Sequence, residues 1–223
     1  MRYVKLTALL LSAVLCAGSV TSCGSKKSSS KTPGEWELIT PEEGAEDENL
    51  GSYRIDPETG IKLYYEEDEF PRELVRTLAN HFLAFQNKDF ESFKEQNYPL
   101  YNEKMEKFLQ DGFQYGQKES FEKQADSINE MMGGSFEVTR VKVEPSQLFA
   151  DPEEGVQDFF SFMNEKFGSD DFEKKVREDC DEFYYFTFYI MAKNAEGKEQ
   201  IIVSDEENNA FFAEKGGKFY TFG

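Results

Sequence analysis

The stretch "EFYYFTFYIMAKN", residues 182–194, constrains the fold more than any other part of the chain. It is apolar at both odd and even positions. A half-buried strand alternates, so this one must be a central strand covered on two faces. Strand and turn signals follow it to the end of the chain. "AEGK" at 195–198 is a turn, "EQIIVS" and "NAFFAEKGGKFYTFG" read as two or three antiparallel strands, and Gly216–Gly217 marks a tight hairpin.

Helical signals dominate the region before it. In "PRELVRTLANHFLAFQNKDFESF", Leu74, Leu78, Phe82 and Phe85 recur every three or four residues. Pro71 suits the first helical position, and "NKD" predicts a break before a short helix around Phe90 and Phe93. A third helix is expected from Tyr101, Met105, Phe108 and Leu109. A fourth is expected from Phe121, Ala125, Ile128, Met131 and Met132, stopped by Gly133–Gly134. In "SFEVTRVKVE" the apolar phase switches, Phe136 and Val138 on one phase and Val141 and Val143 on the other. That predicts a bulge near Thr139 and Arg140. Val156, Phe159, Phe160, Met163 and Phe167 form a further helical stripe, which continues or restarts through Phe172 and Val176. "YRIDPETGIKLYY" reads as a hairpin turning at "DPETG". Trp36, Leu38 and Ile39 form a small apolar patch with the chance to dock on the domain.

The N-terminus carries a different signal. Arg2 and Lys5 precede an apolar run from Leu6 to about Ala17, followed by small residues, the layout of a secretory signal. The run is too short for a bilayer, which takes about 20 apolar residues. "VTSC", Val20 to Cys23, resembles the lipobox of bacterial lipoproteins; Cys16 follows Leu15 and does not fit. The resemblance implies cleavage before Cys23 and acylation of its thiol and new N-terminus with diacylglycerol and palmitate-type chains. The implied address is a bacterial cell membrane, on its extracytoplasmic side, or an outer membrane where the envelope has two. Two or three chains anchor stably where one holds weakly. "GSKKSSSKTPG" then offers nothing to bury and reads as a flexible tether. The expected organisation is a signal peptide at 1–22, a lipidated tether at 23–50, a hairpin extension at 51–69 and an α+β domain at 70–223.

The formal charge is −19, and it becomes more negative if Arg2 and Lys5 leave with the signal. Such a body repels nucleic acid and anionic lipid, so no nucleic-acid partner is expected. With Cys23 acylated, Cys180 is the one remaining thiol, and no disulfide can form within the mature chain. Stability must come from a core, for which 22 Phe and 11 Tyr supply the area.

The order of helices, strand, helix and strand meander, with "ANHFLAFQNKDFESF" opening it and "FFAEKGGKFYTFG" closing it, resembles NTF2-like domains. The resemblance implies helices on a curved antiparallel sheet that together enclose a cone-shaped cavity. Some such domains are enzymes with an acid or base inside the cone. His81, the single histidine, is the candidate base, alone or replaced by a buried carboxylate. One histidine builds no triad or metal centre, and its helical phase puts it at the core edge as a structural residue. The acidic clusters at 66–69, 169–173 and 205–208 lack calcium-loop spacing and read as solvated loops. Tyr184, Tyr185 and Tyr189 fit a core strand better than a pocket, and Cys180 fits a packed thiol better than a nucleophile. No catalytic residue, metal or cofactor is therefore assigned. The expected role is a binding module for an envelope protein, wall component or small ligand, with the uncovered sheet face open to a second copy. A cavity enzyme and a structural spacer are the alternatives.

Overall fold

The computed structural model describes residues 36–45, 47–203 and 208–223. The signal, Cys23, the tether as far as Glu35 and most of the 205–208 acidic cluster lie outside them. The fold is α+β. Its strands are β1 (Arg54–Ile55), β2 (Lys62–Tyr64), β3 (Phe136–Pro145), β4 (Glu182–Asn194), β5 (Glu199–Val203), β6 (Asn209–Lys215) and β7 (Lys218–Thr221). Its helices are α1 (Arg72–Asn87), α2 (Phe90–Gln96), α3 (Pro99–Phe113), α4 (Gln117–Met131), α5 (Pro152–Phe167) and α6 (Asp171–Asp179). The strands form one sheet in the order β1-β2-β3-β4-β6-β7, with β5 also paired to β4.

β4 is the spine. It pairs with β3 on one side; on the other it pairs with β6 along its first half and β5 along its second. Its even residues Tyr184, Phe186, Phe188, Ile190 and Ala192 face one hydrophobic core, and its odd residues Phe183 and Tyr185 face another. Both faces of the strand are thus covered, as its composition requires.

On the first face lie α1, α2 and α4. Leu74, Leu78, Phe82 and Phe85 are all buried, and each contributes roughly 1.5–3 kcal/mol relative to exposure. α1 ends where Lys88 turns left-handed (φ 52°) and the Asp89 N–H bonds to the Ala84 carbonyl. Asp89 then caps α2, accepting from the Ser92 N–H at 3.1 Å. Phe70 and Phe82 reach the sheet rings of Phe186 and Phe188 at 5.6 and 5.8 Å, so side chains occupy the space between α1 and the sheet.

The second face is covered by α3, α5 and α6. The chain gets there between α2 and α3 by running along the edge of β7. Asn97 bridges Thr221 in parallel, and the Tyr98 N–H bonds to the Thr221 carbonyl at 2.9 Å. Pro99 therefore opens α3 as well as following α2. Phe160, Phe172, Val176 and Phe211 form this core, with Phe159 stacked on Phe211 at 3.9 Å. α5 approaches the sheet most closely at Gly155, where an added Cβ would lie 2.6 Å from Cγ of Tyr185. Gly168, left-handed at φ 63°, separates α5 from α6, so the stripe restarts rather than continues.

The expected bulge falls between Val138 and Arg140. It inserts Thr139, so Phe136, Val138, Val141 and Val143 all reach the first core despite their change of phase. A second irregularity, between Ile190 and Met191, interrupts the pairing with β5. The sheet differs from the fully antiparallel expectation in one respect: β2 pairs with β3 in parallel, Leu63 opposite Val141. Parallel neighbours need a long crossover, and α1 to α4 supply it.

Residues 36–45 and 47–50 pack on the domain. Ile39 and Tyr53 exchange backbone hydrogen bonds at 2.8 and 2.9 Å, extending the sheet beyond β1. The Trp36 ring lies under the Arg72 and Arg76 guanidinium groups, at 4.7 and 5.5 Å. A short 3₁₀ turn at Glu48–Leu50 follows Asp47, whose role is described below.

Candidate functional site

His81 lies deeper than its helical phase suggests. α2 and α4 cover the outer side of α1, so the buried surface of α1 is wider than one stripe and takes in His81, which is 6% exposed. The rings of Phe82, Phe85 and Phe93 surround it at 5.0–5.7 Å. Its Nδ1 is buried without a hydrogen-bond partner. Burial alone pushes its pKa down to about 4 and keeps the imidazole neutral near pH 7. Among the described residues no carboxylate contributes to that shift.

Cys180 is half-buried at the end of α6, next to a polar cluster. Burial, with the Asp179 charge adding to it, raises the thiol to about 11, the opposite of nucleophile activation. Asp179 accepts from the Tyr98 hydroxyl and takes both oxygens to Lys215 Nζ, at 2.8 and 2.7 Å. That cluster ties the α2–α3 link to the β6–β7 hairpin. Tyr184 and Tyr185 are core residues of opposite faces, and the Tyr189 hydroxyl accepts from Gln147 Nε2 at 3.1 Å.

An ionic clasp on the second face joins three distant segments. The Thr139 bulge turns Arg140 toward that face, where it meets Asp47 at 3.0 Å and Glu199 at 2.7 Å. Lys62 adds a second cation on Asp47, and Thr139 Oγ1 donates to Glu199 at 2.5 Å. Burial opposes the Asp47 charge, but Lys62 and Arg140 outweigh it and lower its pKa. Asp47 and Arg140 are both buried, so the clasp is shielded from salt.

Among the described residues, two depressions outside the cores stand out. The larger, about 1030 Å³, lies between α2, α3 and α4. Glu106 there accepts the Gln117 N–H at 2.7 Å, capping α4 in place of Gly116, which has no side chain. The smaller, about 370 Å³, sits in the V between α1 and α2, with Lys218 of β7 closing one side. Its walls carry Asn80, Asn87, Ser92 and Gln96 above a patch of Leu83 and Ala84. The Gln96 Nε2 group is spent on the Ser92 carbonyl at 3.0 Å, while its Oε1 is buried without a donor.

Among the described residues there is no group of three or more His, Cys, Asp or Glu suited to a metal ion, and no helix long and apolar enough to cross a membrane. The break at "NKD" was the sequence signal for the smaller depression, but nothing local marked the contribution of Lys218. Neither a protein-family model, nor a curated protein, nor a solved structure matches this chain.

Proposed function

We propose that the chain is a lipid-anchored, extracytoplasmic binding module, acting by capture rather than catalysis, on an NTF2-like plan whose cone is filled. The surroundings of His81 carry the preference for capture: the one histidine is neutral, ringed by phenylalanines, and paired with no acid. The run of four helices ahead of β3 and a sheet with two register irregularities support the NTF2-like plan, and Phe70, Phe82, Phe186 and Phe188 take up the space a cone would leave open. Leu148, in the loop between β3 and α5, and Ile201, on β5, are about half-exposed and add accessible apolar surface. That surface suits an envelope protein, a wall component or a second copy, and the outer depressions suit a small ligand.

The membrane reading rests on "VTSC" behind its apolar run. Cys23→Ala is expected to abolish fatty-acid labelling and move the chain from the membrane to the soluble fraction. A variant that stays labelled and membrane-bound overturns the anchor.

A further inference from the structure

We propose that the 370 Å³ depression between α1 and α2 is a binding site for a neutral polyhydroxylated ligand of about one sugar unit. This deepens the capture reading and rests on it. The volume is at the small end of ligand sites, which run from about 300 to 1,000 Å³. The chemistry of the walls selects the class. The Asn80 and Asn87 carboxamides both donate and accept, and neither makes a hydrogen bond within the described protein. Gln96 adds to the same wall, its Nε2 already donating to the Ser92 carbonyl at 3.0 Å. A sugar hydroxyl also donates and accepts, and a planar amide can engage two neighbouring hydroxyls at once.

Other classes fit less well. No aromatic ring lines the site, so a nucleobase or other flat π-system finds nothing to stack on. Asp89 and Glu95 against Lys218 make the rim net negative, which disfavours phosphates and carboxylates. An ammonium finds little either, because Asp89 already holds the Ser92 N–H and hydroxyl, at 3.1 and 2.7 Å. Leu83 and Ala84 supply a small apolar floor for the C–H face of a ring.

The test is a titration of the full chain in detergent micelles with glucose, galactose and N-acetylglucosamine, with glycine as the zwitterionic control. At least one sugar is expected to bind with a Kd at or below about 1 mM, and glycine is not. Asn80→Ala and Asn87→Ala should each weaken binding by about 3- to 10-fold, the equivalent of one neutral hydrogen bond. Their thermal midpoints should stay at wild type, since both side chains are exposed and bonded to nothing inside the protein. The proposal is overturned if none of the three sugars binds, if glycine binds instead, or if both substitutions leave sugar affinity unchanged. A silent site would leave the Cys23→Ala fractionation result standing, so the two failures are distinguishable.

Discussion

Gly155 tests how tightly the second core is assembled. It lies in the second turn of α5, where alanine is ordinarily favoured over glycine by about 0.5–1 kcal/mol. Here the added methyl would lie 2.6 and 2.8 Å from Cγ and Cε1 of Tyr185, well inside van der Waals contact. The Tyr185 ring has little room to retreat, because Phe149 meets it edge-on at 5.6 Å. Overpacking of this kind costs about 1–3 kcal/mol. Set against the helix preference, Gly155→Ala is expected to destabilise by about 1 kcal/mol, a fall in Tm of about 2–4 °C for a chain of this size. Urea unfolding followed by far-ultraviolet circular dichroism measures it. The same substitution in a Tyr185→Ala background, where the ring is gone, should stabilise by about 0.5–1 kcal/mol. A rise in stability in the wild-type background, or an equal shift in both, would refute the close approach.

Two further perturbations address the buried polar groups. His81 is expected to make stability fall with pH between its unfolded value of 6.5 and its folded value of about 4, because only the unfolded state takes up the proton there. From pH 7 to 5 that is a loss of about 2 kcal/mol; His81→Leu should remove that part of the slope, and an unchanged slope in urea melts would show the imidazole to be hydrated. Arg140→Ala strips the shared cation from Asp47 and Glu199 and should cost about 3–5 kcal/mol. Hydrogen exchange at Ile39 and Tyr53 should rise with it, and unchanged protection there would mean that the clasp does not hold residues 36–45 and 47–50.

Much of this fold is legible in local patterns. The change of phase between Val138 and Val141 could be reconciled with one buried face only by an extra residue, and Thr139 is that residue. "NKD" and Gly168 break helices for reasons of backbone geometry alone. The contacts that escaped a sequence reading are long-range. Nothing near Lys62 says that its strand runs parallel to one 78 residues later. Asp47 and Glu199 look like ordinary surface acids until Arg140 is turned between them. His81 looked peripheral because its own helix cannot show that α2 and α4 roof it over.

The parallel pairing of β2 with β3 also sets an order of events. A chain made from its N-terminus forms the β1–β2 turn early, yet that turn has no neighbour to join until four helices and β3 have followed. Closing so long a loop is entropically slow, so this corner is expected to lock late in folding. Asp47, which grips the same corner through Lys62 and Arg140, would then act as the final latch: a fragment that ends before β3 has a turn but no place to put it.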